Sequence, residues 1–157
     1  MKKVKFLSIL ALAALCFASC SKDEFDADAQ FRTDTTAIRK FITDNKIPAI
    51  KDQSGLFYQI ITPGTGSVKY TANTEITAEY KGQLLDGAVF DSTVSGSALT
   101  FALGSVITGW QIGIPLIQNG GQIRMIIPSG YGYGNSAAGA IPKNSILDFT
   151  VTLKGVK

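Results

Sequence analysis

Tyr80, Asp91, Trp110, Tyr133 and Phe149 are the residues with which this chain could do chemistry. They lie in short stretches of β-like, Gly-rich pattern: Ala78-Glu79-Tyr80, Val89-Phe90-Asp91-Ser92, Val106-Ile107-Thr108-Gly109-Trp110, Tyr131-Gly132-Tyr133-Gly134 and Leu147-Asp148-Phe149. Each aromatic has one polar partner at most. The 157 residues include no histidine, and the two cysteines, Cys16 and Cys20, both stand near the start. The usual general base, thiol nucleophile and soft metal ligand are therefore missing. What remains can build an apolar aromatic pocket with a few hydrogen-bonding groups at its rim. Such a pocket suits binding, or a reaction that needs shape and polarity more than proton transfer.

Strands must carry most of these residues. Residues 56–62 are β-rich and close on the turn cluster Pro63-Gly64-Thr65-Gly66. Residues 75–85 alternate, with Ile76, Ala78 and Tyr80 on one face. Asp86-Gly87 marks a hairpin, after which residues 89–92 resume as a strand. Residues 99–103 form another short strand, whose Phe101 is assigned to the core. Thr108 is the expected cap of a helix through Trp110 and Ile117, shortened or kinked by Pro115. Residues 121–127 point Ile123, Met125 and Ile127 inward, and residues 145–154 do the same with Leu147, Phe149, Val151 and Leu153. The expected fold is α+β: a five- to six-stranded antiparallel sheet on one short helix. Ahead of it, Phe31, Ala37, Ile38, Phe41 and Ile42 predict a helix of roughly three turns over residues 31–45. Asp34 or Thr33 would cap it, and Asn45 with Pro48 would stop it. Its expected role is docking on the domain; pairing two chains is the alternative.

The chain begins as an export signal does. Lys2, Lys3 and Lys5 precede an apolar stretch of 13 residues, 6–18, too short a run to span a membrane. Phe17-Ala18-Ser19-Cys20 resembles the lipobox of bacterial lipoproteins, in which the cysteine is lipidated and becomes the new N-terminus. The alternative is a plain signal peptide with Cys20 free. Cleavage would remove three of the 15 basic residues and leave 12 against 12 acidic ones. A neutral chain makes no electrostatic case for nucleic acid. Several acyl chains on Cys20 would hold it firmly to a membrane. The acidic residues 21–28 read as a disordered tether, and their Asp26 and Asp28 are not taken as a metal site. The expected divisions are a signal peptide over residues 1–19, a lipidated tether with a short helix over 20–53, and the folded domain over 54–157.

The ordered set Tyr80-Lys81-Gly82-Gln83-Leu84, Asp86-Gly87-Ala88-Val89-Phe90-Asp91-Ser92, Val106-Ile107-Thr108-Gly109-Trp110, Tyr131-Gly132-Tyr133-Gly134, Ile141-Pro142 and Leu147-Asp148-Phe149 resembles an FKBP-type peptidyl-prolyl isomerase. The resemblance covers residues 56–157. It implies that Trp110 forms a pocket floor beneath a substrate proline, walled by Tyr80, Phe90 and Phe149. Val106 and Ile107 would line one rim, with the Ile107 N–H holding a substrate carbonyl. Asp91 would sit near the amide being twisted, Tyr133 would hydrogen-bond the peptide backbone, and Ile141 would line the loop side. Asp91, Tyr133 and Phe149 are thus the implied catalytic residues. Leu99 stands where many members have an aromatic residue, Ala140 replaces a larger aliphatic, and the loop over 135–138 is short. These departures thin the outer pocket and keep open a peptide-holding module with little turnover, or an envelope lipoprotein whose aromatics are only core.

The implied reaction suits the composition. An X-Pro bond rotates over a barrier of ~18–20 kcal/mol because resonance stiffens the C–N bond. No bond is made or broken, so no acid, base or nucleophile is required. The planar amide is more polar than the twisted one, so an apolar pocket disfavours the ground state more than the transition state. A millionfold acceleration requires roughly 8 kcal/mol. The expected partners are proline-containing polypeptides and macrolide inhibitors of the rapamycin type. No cofactor, metal or nucleic acid is implied. The expected state is a monomer in the cell envelope, lipid-anchored to the outer membrane.

Overall fold

A computed structural model describes residues 25–157, so the expected signal segment, its expected cleavage site and Cys20 lie outside the described residues. In chain order the elements are α1 (Ala27–Asp44), β1 (Ile50–Lys51), β2 (Phe57–Thr62), β3 (Glu75–Leu84), β4 (Val89–Ser92), β5 (Leu99–Ala102), α2 (Thr108–Gly113), β6 (Gln122–Ile127) and β7 (Leu147–Val156). Three 3₁₀ turns cover Leu103–Ser105, Ile114–Leu116 and Ser129–Tyr131. The strands form one antiparallel sheet in the order β1-β2-β6-β7-β3-β4, with β5 also pairing β3. Six of them occupy the expected stretches. The seventh, β1, has two residues, too few for an alternating pattern to show in the sequence.

The inner face of the sheet is built from cross-strand pairs. Ile123, Met125 and Ile127 of β6 stand opposite Val151, Phe149 and Leu147 of β7, and all six are buried. Such directly opposed apolar pairs are the units that stabilise a sheet. Ile76 and Ala78 of β3 extend the face, and Trp110, Ile114 and Ile117 close it from above. The helix can sit this low because its contact positions are glycines four residues apart. A Cβ built on Gly109 would come within 2.5 Å of the Ile127 side chain, and one on Gly113 would collide with Met125. Helix α2 lasts six residues and then tightens into the 3₁₀ turn containing Pro115, which cannot donate the next helical hydrogen bond. Thr108 is not its cap. Extended Ile107 holds that position, without a side-chain bond, and Thr108 is already helical.

The opposite face is covered in part by α1. Ile38 is fully buried against Phe57 and Ile126, a directly opposed pair of β2 and β6. Beside this apolar patch Asp148 is buried, and its carboxylate accepts from Arg124 Nε at 2.9 Å and Nη2 at 2.7 Å, and from Gln83 Nε2 at 3.0 Å. Alternation in β7 thus does not leave Asp148 in water: the second face has a cover of its own.

Helix α1 begins earlier than its apolar spacing predicts and has 18 residues. The cap is Asp26, whose Oδ1 accepts from the Ala29 N–H at 2.9 Å, so the acidic stretch ends inside the helix rather than as a tether throughout. Neither expected cap serves: Thr33 donates back to the Ala29 carbonyl at 2.9 Å, and Asp34 is buried with partners far along the chain. Asn45 does end the helix, its N–H donating to the Phe41 carbonyl at 3.1 Å. Among the described residues no helix is long and apolar enough to cross a membrane.

The glycine contacts of α2 make the first prediction. Gly109→Ala should destabilise the fold by about 1–3 kcal/mol through overpacking on Ile127. The check is the urea midpoint at unchanged m-value; an unchanged midpoint would show that the helix has room to rise.

Candidate functional site

Trp110 is 4% exposed and meets three other rings edge-on or nearly so. Tyr80 lies 5.3 Å away at 82°, Phe149 5.4 Å at 89° and Phe101 6.0 Å at 81°. Edge-to-face packing places the positive ring edge against a negative ring face and holds each ring at a defined angle. The four rings therefore do not collapse into a stack. They leave a cavity of about 300 Å³ lined by Tyr80, Asp91, Phe101, Ser105, Val106, Ile107, Trp110, Tyr133 and Phe149.

Backbone devices aim these side chains. Gly82 of β3 pairs with Phe149 on one side and with Asp91 on the other. A Cβ there would come within 2.5 Å of the Phe149 ring and 2.7 Å of Phe90, so glycine makes room for both. The β3–β4 register shifts between Gly82 and Gln83, which leaves Phe90 without a partner on β3. A bulge of this kind rotates the strand and re-aims its side chains. As a result, neighbours that would otherwise face opposite ways both serve the site: Phe90 packs edge-on behind Phe149 at 5.4 Å, and Asp91 reaches the cavity.

All but one of the polar groups lie at the rim. Asp91 is exposed, and its Oδ2 accepts from the Tyr80 hydroxyl at 2.7 Å. Desolvation, then the hydrogen bond and the negative charge of Asp91, push the Tyr80 phenol up to about 12. Tyr80 thus remains a neutral donor that fixes the carboxylate. Val106 and Ile107 bridge a 3₁₀ turn and α2 in extended conformation, and Gln111 Nε2 donates to the Val106 carbonyl at 2.8 Å. Among the described residues the Ile107 N–H and the Tyr133 hydroxyl have no hydrogen-bond partner within the chain. Trp110 Nε1, on the floor, is buried and likewise unpartnered.

The structure brings Tyr80, Asp91, Val106, Ile107, Trp110, Tyr133 and Phe149 into one cavity. Phe90 supports the wall from behind, and Ile141 is buried in the main core; neither lines the cavity. Phe101 does line it, although the sequence reading puts it wholly in the core. Leu99, two residues earlier on the same face of β5, is 48% exposed and outside the lining. Phe101 thus supplies an aromatic wall that Leu99 does not. Ser105 is a further lining residue without any sequence signal.

An antiparallel sheet wrapped on a short helix, with an aromatic cavity at the helix start and a carboxylate at its rim, defines an α+β domain with an open aromatic pocket. Residues 66–154 match the family described as FKBP-type peptidyl-prolyl cis-trans isomerase. The protein named FKBP-type peptidyl-prolyl cis-trans isomerase FkpA from Buchnera aphidicola is 45% identical over 108 residues, which are 68% of this chain and 43% of the relative. FkpA of Escherichia coli K12 is 40% identical over 105 residues, 66% of this chain and 38% of the relative. The crystal structure of FkpA from Escherichia coli superimposes with a TM-score of 0.68 at 32% identity, covering 83% of this chain and 64% of that one. A peptidyl-prolyl cis-trans isomerase from Pseudomonas syringae gives 0.67 at 31% identity, covering 85% and 98% respectively. The chain belongs to the FKBP-type peptidyl-prolyl cis-trans isomerase family. It spans less than half the length of these curated relatives.

The Tyr80 phenol supplies a pH prediction. The folded chain favours its neutral form, so that contribution to stability is whole below the ordinary phenol value of 10.0 and is lost as pH rises from there through about 12. Wild type should therefore lose stability across this window more steeply than Tyr80→Phe. Denaturant melts at several pH values check it, and parallel slopes would show that Tyr80 is not held neutral.

Proposed function

We propose that this chain is a peptidyl-prolyl cis-trans isomerase that accelerates rotation of X-Pro bonds in exported polypeptides. The observation that carries the proposal is the cavity itself: Tyr80, Phe101 and Phe149 set edge-on around Trp110, with the Asp91 carboxylate and the Tyr133 hydroxyl at the rim. The proline ring enters between Tyr80, Phe101 and Phe149 and rests on Trp110. The N–H of Ile107, unused among the described residues, donates to a substrate carbonyl. Asp91, held by Tyr80, lies beside the twisting amide, and Tyr133 donates to a peptide carbonyl. Phe149, supported by Phe90, excludes water from the bond. Binding the less polar, twisted amide better than the planar one lowers the barrier without any proton transfer.

The rest of the reading concerns address and organisation. The export signal over residues 1–19 is removed, and Cys20 carries acyl chains that hold the mature chain to the envelope, at the outer membrane. Residues 20–53 join that anchor to the domain over 54–157, and the chain works as a monomer. Macrolides of the rapamycin type compete for the cavity.

Cis/trans exchange of a short X-Pro peptide tests the activity. The full chain should accelerate it, and Asp91→Leu should lower kcat/KM by about tenfold, equivalent to about 1.4 kcal/mol. A folded wild type without acceleration would replace the proposal with a peptide-holding module, for which the exposed Leu99 is the first cause to examine. For the anchor, Cys20→Ser should move the protein from the membrane to the soluble fraction; persistence in the membrane fraction would exclude lipidation at Cys20.

A further inference from the structure

Helix α1 is tied to the loop that carries Tyr133. Asp34, in its middle, is 2% exposed. Its Oδ2 accepts from the Ser129 N–H at 2.8 Å and from the Ser129 hydroxyl at 2.6 Å, across 95 residues of chain. Its Oδ1 accepts from Gln30 Nε2 at 2.7 Å. Ser129, itself 1% exposed, opens the 3₁₀ turn that leads into the loop, and its carbonyl accepts from the N–H groups of Gly132 and Gly134, each at 2.9 Å. Tyr133 therefore stands between two residues bonded to Ser129, and Ser129 is bonded to Asp34. A second contact runs in parallel: the Phe31 ring meets Tyr131 edge-on at 5.6 Å, and the Tyr131 hydroxyl donates to the Ser54 carbonyl at 2.6 Å.

A carboxylate is a demanding group to bury, tolerated where hydrogen bonds replace its water. Among the described residues no lysine or arginine pairs with Asp34. Among these residues its bonds go to its own helix and to the start of the Tyr133 loop. Helix α1 also lies outside residues 66–154, the stretch that matches the family. The matched domain therefore does not contain the acceptor that holds the loop in this chain.

We propose that Asp34 is a positioning residue, which from α1 sets the Tyr133 loop at the mouth of the aromatic cavity and so governs how tightly a proline-containing peptide is held. The proposal rests on the isomerase reading for its substrate. On the isomerase reading Tyr133 holds the peptide backbone and not the rotating bond itself, so misplacing it raises KM more than it lowers kcat. A merely structural role for Asp34 has a different mark, because a smaller folded fraction lowers kcat at constant KM.

The test compares the full chain as wild type, Asp34→Ala, Tyr133→Phe and the double variant. Two readouts are taken: amide exchange over Ser129–Gly134 with β6 and β7 as internal reference, and KM for a short X-Pro peptide. In Asp34→Ala the loop amides should exchange about tenfold faster while the reference strands keep their protection. KM should rise about fivefold in each single variant and no further in the double, since both remove the same contact. Unchanged loop exchange, or KM effects that multiply in the double variant, would overturn the proposal. If Asp34→Ala does not fold, Ser129→Ala removes the hydroxyl donor alone and is read by the same two criteria. A wild type that binds the peptide without turning it over would contradict the isomerase reading. The positioning role would then be decided by loop exchange and by the dissociation constant in place of KM.

Discussion

Everything at the candidate site depends on the edge-on contact of Trp110 with Tyr80, Phe101 and Phe149. Apolar rings in water tend to close on one another, and a cavity survives only if each ring is held at an angle by something behind it. The holding groups are identifiable here. Gly109 and Gly113 let α2 settle on β6, which fixes the height of Trp110 above the sheet. Gly82 leaves space for Phe149, and Phe90 supports that ring from the far side. Phe149 is also locked from below by its cross-strand partner Met125. Three glycines and one bulge thus convert a sheet-and-helix core into a core with an opening.

Charge is kept off the floor of that opening in two ways. Asp91 stays at the exposed rim, steadied by a phenol that burial and the carboxylate together keep neutral. Asp148, adjacent to Phe149 in sequence, faces the other side of the sheet, where Arg124 and Gln83 satisfy it. The hydrogen bond to Asp148 raises the Arg124 guanidinium above its ordinary value, so Arg124 stays charged throughout the working pH range. Such a pair adds little net stability when weighed against its desolvation. Its consequence is orientation: with Asp148 fixed outward, strand alternation turns Phe149 inward.

The strands that position the site were legible because their apolar residues alternate. Strands β3, β6 and β7 carry that pattern, and the Asp86-Gly87 turn marks the hairpin between β3 and β4. Tyr80, Trp110, Phe149 and the rim carboxylate Asp91 could be named from the ordered motifs before any geometry. Three other features have no local signature. Phe101 could not be distinguished from core, since core and cavity wall differ only in which atoms stand opposite. The start of α1 was misplaced because capping residues abound in Asp26–Asp34, and the choice among them is made by burial. Asp34, which with Thr33 is a cap candidate by type and position, instead bonds Ser129 across 95 residues, a pairing that only the folded chain creates.

The central claim is that this cavity rotates an X-Pro bond by shape and polarity, with no proton in flight. Measuring kcat/KM for a short X-Pro peptide in light and in heavy water tests it most directly. The account predicts a clear acceleration over the free peptide and a ratio between the two solvents close to unity. A marked slowing in heavy water would place a proton transfer in the transition state, and a folded protein without acceleration would remove catalysis from the cavity altogether.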